Sequence, residues 1–80
     1  MVYMNSKLHV LDVRRLLCPL PIIKLQQKVT GLKAGDVVLV KATDRGVLED
    51  IPTWCRMEGH IILKTNQKEH EIEMEIEIIK

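Results

Sequence analysis

His70-Glu71-Ile72-Glu73-Met74-Glu75-Ile76-Glu77-Ile78 alternates polar and apolar residues without a break. A period of two is the period of a β-strand. It puts Ile72, Met74, Ile76 and Ile78 on one face and the four glutamates on the other. One face is set to be buried and the other to meet water. A sheet covered by helices on both sides would read as a continuous apolar run instead. The stretch therefore predicts a sheet with one covered face.

Working outward, His60 to Thr65 reads as the preceding strand. Asn66-Gln67-Lys68-Glu69 is short enough to be the hairpin loop between the two. Val37 to Thr43 reads as a strand whose apolar run suits a central position, and Lys7 to Val13 as the first strand. Between these two, from Pro19 to Leu32, Ile22, Leu25, Val29 and Leu32 recur at helical spacing with Gln26, Gln27 and Lys28 between them. Lys33-Ala34-Gly35-Asp36 turns the chain into the next strand. Gly46 to Glu58 carries a second stripe, Val47, Ile51, Trp54 and Cys55. Pro52 lies inside it, so this helix starts near Pro52 or is kinked there. Gly59 is the expected stop. The order is β-α-β-α-β-β. Right-handed crossovers put both helices on one face. The expected fold is an α/β two-layer sandwich with a four-stranded mixed sheet.

Composition bounds the rest. Eighty residues leave room for one domain, 1–80, and for no multidomain enzyme. Twelve Lys+Arg against eleven Asp+Glu give no whole-molecule case for nucleic acid or an anionic membrane. The longest strictly apolar runs, such as Val37 to Val40, fall far short of the about 20 residues of a membrane span. Met1 to Lys7 has no secretion-signal pattern. Two cysteines are too few for a disulfide scaffold or a four-thiolate zinc site. His9, His60 and His70 lack ligand spacing. The expectation is a cytoplasmic chain with free thiols and no metal.

Ligands of α/β sheets sit beyond the carboxyl ends of parallel strands. Two loops reach that edge, Arg14-Arg15-Leu16-Leu17-Cys18-Pro19 and Asp44-Arg45-Gly46. Pro19 suits the first helical position, which puts Cys18 at or next to the helix N-cap. A thiolate there has a lowered pKa and is the reactive form. Arg14, Arg15 and Arg45 are expected to add to that effect. Cys55, on the apolar stripe beside Trp54, is expected to be buried and structural.

Leu11-Asp12-Val13-Arg14-Arg15-Leu16-Leu17-Cys18-Pro19-Leu20-Pro21 resembles the Cys-Pro-x-Pro signature of the TusA (SirA-like) sulfur-carrier family. Asp50-Ile51-Pro52-Thr53-Trp54-Cys55 followed by Gly59-His60 resembles that family's second-helix segment, and Lys33 to Asp36 its helix-to-strand turn. The similarity runs from about Leu8 to Ile79. It implies that Cys18 is the acceptor cysteine and carries sulfur as a persulfide. Pro19 and Pro21 then give it rigid support, and Asp12 of the same motif belongs with the supporting residues. It further implies a sulfur-donor protein, a cysteine desulfurase or a rhodanese-like one. It also implies an acceptor in transfer-RNA thiolation, molybdenum-cofactor assembly or sulfur oxidation. The family usually has Gly where this chain has Arg15, and a basic residue or proline where it has Leu17.

The expected function is a sulfur carrier with sulfurtransferase-type chemistry at Cys18. It needs no cofactor, no direct nucleic acid and no membrane. The alternatives are a non-catalytic regulatory or RNA-contacting module and a thiol-redox protein using Cys18 with Cys55. Few aromatics and a glutamate-rich sheet face argue against RNA on that surface.

Overall fold

Glu71–Glu77 is the last strand of a computed structural model that describes residues 7–79. Met1 to Ser6 and Lys80 lie outside the described residues. So do those ends of the expected domain and nearly all of the stretch scanned for a secretion signal. The elements are β1 (Leu8–Val13), α1 (Leu20–Thr30), β2 (Val37–Ala42), α2 (Val47–Glu58), β3 (Ile61–Lys68) and β4 (Glu71–Glu77). The expected order holds throughout. The four strands form one sheet in the order β1-β2-β4-β3. β1 and β2 are parallel, and β4 runs antiparallel to both β2 and β3. β4 is thus an interior strand, as β2 is.

The alternation works as its period demands. Ile72, Met74 and Ile76 are buried, while Glu73, Glu75 and Glu77 are partly exposed on the open face. Three of the four glutamates stand in register with cations: Lys41 opposite Glu73, Lys64 opposite Glu75, and Lys68 opposite Glu71. Opposite charges across a ladder stabilise it, each pair by about 0.2–1 kcal/mol. The covered face joins Val13, Val38, Val40, Ala42, Ile72, Met74 and Ile76 to Leu25 of α1 and to Val47, Ile51, Trp54 and Cys55 of α2. Both helices therefore pack on the same side of the sheet. Each fully buried aliphatic side chain contributes roughly 1.5–3 kcal/mol.

Two boundaries differ from expectation by more than one residue. The hairpin turn is Glu69-His70, not residues 66–69. β3 runs on to Lys68, and Asn66, Gln67 and Lys68 pair with Glu73, Ile72 and Glu71. That end of β3 is an edge exposed on both faces, so no alternation marks it. Glu69 makes the turn in the left-handed region, at φ 56. α1 begins at Leu20, with Pro19 as its N-cap, and stops at Thr30, where Gly31 caps it. α2 fills the expected stretch, and of the two readings of Pro52 the one in which the helix starts there does not hold. It starts at Val47, after Gly46, and carries Pro52 inside. Its first turn is held by short-range bonds from the Val47, Leu48 and Glu49 amides to the Asp44, Arg45 and Gly46 carbonyls. Gly59 ends α2 at φ 86, a conformation that a Cβ would strain.

Asp36 closes the opposite edge of the sheet. It is buried and accepts hydrogen bonds from the backbone amides of Lys33 and Lys7. These bonds, that of Lys33 first, hold its carboxyl below the usual carboxylate range.

Candidate functional site

The loop that leaves β1 is shaped by its own side chains. Val13 is fully buried and fixes the strand end. Asp12 accepts from the Arg14 amide at 3.0 Å and from the Arg14 guanidinium at 2.9 and 2.8 Å. Those bonds drop the Asp12 carboxyl to about 2. Arg14 also reaches Glu71 at 3.4 Å. Arg15 follows at φ 73, in the left-handed region. Its amide donates to the Thr43 hydroxyl at 2.9 Å, which ties the turn to the end of β2. The Leu16 amide closes the turn on the Val13 carbonyl. Arg15 therefore keeps a backbone angle that favours glycine, and the loop follows its path despite the side chain.

Cys18 comes next, exposed, one residue outside the N-cap of α1 and joined to Pro19 by a cis peptide bond. Pro21 is buried in the first turn of the helix. Two carboxylates from the β2–α2 side hold the cysteine. Asp44 accepts from the Cys18 amide at 2.8 Å through one oxygen and from the Gly46 amide at 3.2 Å through the other. It thereby clamps the two loops together. The Cys18 thiol donates to Asp50 at 2.9 Å. Asp50 stands in the first turn of α2, where the helix dipole favours a negative charge.

This geometry reverses the expected electrostatics. The bond to Asp50 pushes the Cys18 pKa up. Desolvation and the charges of Asp50 and Asp44 push the same way. The helix terminus does not prevail, because Cys18 lies outside it and faces two acids. The arginines do not help either. Arg14 is engaged by Asp12 and Glu71. Among the described residues, none of Arg14, Arg15 and Arg45 makes a hydrogen bond or ion pair with Cys18, Asp44 or Asp50. Asp12 and Arg14 shape the loop, and Arg45 is exposed on the neighbouring one. The bond to Asp50 and the two nearby acids favour the protonated form of Cys18.

Asp44 and Asp50 are the residues that sequence reasoning missed as site members. Asp44 lies in the loop already placed at the site edge, two residues before the α2 N-cap. Asp50 opens the block that matched the family's second helix. Cys55 behaves as expected: it is buried, and burial pushes its thiol up to about 11. Both cysteines are free. Among the described residues no cluster of three His, Cys, Asp or Glu could hold a metal. No described helix is long and apolar enough to cross a membrane.

Comparison with known proteins bears on this site. A family model described as Sulfurtransferase TusA matches residues 9–78, which includes every residue of the Cys18 loop and both aspartates. The sulfur carrier protein TusA of Buchnera aphidicola is 38% identical over 61 residues, covering 76% of this chain and 77% of that one. The sulfur carrier protein TusA of Pseudomonas putida strain GB-1 is 41% identical over 58 residues, 72% of each chain. YrkF of Bacillus subtilis is 43% identical over 56 residues, but this chain spans only 30% of its length. With the motif, the fold and the matched span in agreement, the chain belongs to the TusA sulfurtransferase family.

Proposed function

We propose that the protein is a sulfur carrier that accepts sulfane sulfur as a persulfide on Cys18 and relays it to an acceptor protein. The observation that carries this reading is the exposed Cys18 thiol, fixed by Asp44 and Asp50 at the head of α1 in a chain of this family. The donor is a protein persulfide, from a cysteine desulfurase or a rhodanese-like protein. Cys18 loses its proton and its sulfur attacks the outer sulfur of the donor persulfide. A bond forms between Cys18 and that sulfur, and the donor's sulfur–sulfur bond breaks. The donor cysteine leaves as a thiolate and takes up the proton. No net oxidation occurs. Attack by an acceptor thiolate on the outer sulfur repeats the step and restores the Cys18 thiol.

No cofactor is called for, because the sulfur is transferred without redox change. Two free thiols suit a reducing, cytoplasmic setting. The dithiol alternative draws no support from Cys55, which is packed in the core. The test uses radiolabelled cysteine and a cysteine desulfurase, or labelled thiosulfate and a rhodanese. Label should reach wild type and Cys55→Ser and should be absent from Cys18→Ser. Label that persists on Cys18→Ser, or never arrives on wild type from either donor, refutes the reading.

A further inference from the structure

The residues that frame Cys18 are of two kinds. Leu17 is 70% exposed and Leu20 44% exposed, on either side of the exposed Cys18-Pro19 pair. Beside the thiol stand Asp50 and Asp44, both partly exposed. Neither has an ion-pair partner among the described residues. We propose that this surface is a docking face for a partner protein that brings an apolar rim to Leu17 and Leu20 and a lysine or arginine to Asp50. The inference rests on the sulfur-carrier reading, and it adds the partner's chemistry and a way in which docking switches the thiol on.

Sulfur passes between proteins only when two sulfurs come within bonding distance, about 2 Å. Whatever flanks Cys18 is then inside the interface. Exposed leucines there gain by leaving water against an apolar partner surface. Carboxylates there lose by leaving water unless a cation meets them. Asp50 is the one that holds the thiol hydrogen, at 2.9 Å. A partner cation on Asp50 competes for that acceptor and cancels the charge that opposes a thiolate. The charged groups acting on the thiol are Asp50 of α2 and Asp44 of the preceding loop. The free carrier is therefore held quiet, and its thiol is released by the docked partner.

The test separates charge from apolar contact. Wild type is reacted with three methanethiosulfonates, carrying a trimethylammonium, a methyl or a sulfonate group, each rate normalised to a free cysteine peptide. The cationic reagent should outrun the anionic one by about tenfold at low salt. Asp50→Asn should cut that ratio to about threefold or less and speed the neutral reagent. Leu17→Ser and Leu20→Ser should slow sulfur uptake from a cysteine desulfurase charged with cysteine, about fivefold or more relative to their own neutral-reagent rates. Equal cationic and anionic rates, an Asp50→Asn ratio like wild type, or serine variants loading like wild type would each overturn the proposal. Failure of the carrier reading itself looks different: no sulfur reaches wild-type Cys18 at all, whatever the reagent ratios.

Discussion

Replacing Arg15 with glycine should stabilise the protein. Arg15 sits at φ 73, where an L-residue carries a cost of about 1–2 kcal/mol. Glycine removes that cost, but its freer unfolded chain gives back about 0.5–1 kcal/mol. The net gain is about 0.5–1 kcal/mol. Little offsets it, because the Arg15 side chain is exposed and makes no ion pair or hydrogen bond among the described residues. The bond from the Arg15 amide to Thr43 is a backbone bond and survives the substitution. For a domain of this size the gain corresponds to a rise in Tm of roughly 2–8 °C. The assay is thermal unfolding followed by circular dichroism and by the fluorescence of Trp54. Arg15→Ala is the control, since alanine keeps the Cβ and should melt close to wild type. An Arg15→Gly protein that melts at or below Arg15→Ala would refute the strain argument.

Further outcomes follow from the same geometry. Alkylation of Cys18 by iodoacetamide should be slower at neutral pH than that of a free cysteine peptide, because its raised pKa leaves less thiolate. The rate should still be climbing above pH 9, and a plateau near pH 7 would contradict the bond to Asp50. The Asp36 carboxyl has a lowered folded-state pKa, so its stabilisation is present above the unfolded value, about 3.9, and is lost as pH falls through the folded one. The Tm gap between wild type and Asp36→Asn should therefore be widest near neutrality and close in acid; a constant gap would contradict this. Ile76→Ala, at a fully buried position of β4, should destabilise the fold by about 2–5 kcal/mol in urea titration, and a loss under 1 would contradict its place in the core. Ellman's reagent should titrate one thiol in the native protein, more slowly than a free cysteine peptide, and the second only on unfolding; two thiols titrated in the native protein would contradict the burial of Cys55.

The fold was legible because its signals are periodic. The alternation through β4 and the stripes Ile22-Leu25-Val29 and Val47-Ile51-Trp54 depend on burial, and burial leaves a pattern in the sequence. The end of β3 was not legible, because Asn66 to Lys68 lie on an edge strand with both faces wet. Cys18 was legible as a site through its place before Pro19 and through the motif. The state of its thiol was not. That depends on Asp44 and Asp50, 26 and 32 residues away along the chain, which only the fold brings to the thiol. Arg14 pairs with Asp12 and Glu71, while the acids across the fold meet Cys18.

The most direct measurement is peptide-resolved mass spectrometry after loading with a cysteine desulfurase and cysteine and blocking of free thiols. Trypsin releases Cys18 within residues 16–24 and Cys55 within residues 46–56. One sulfur atom, a gain of about 32 Da, should appear on the first peptide. That gain should vanish when a thiol acceptor is added. The same gain on residues 46–56, or on neither peptide, would contradict the assignment of Cys18 as the carrier.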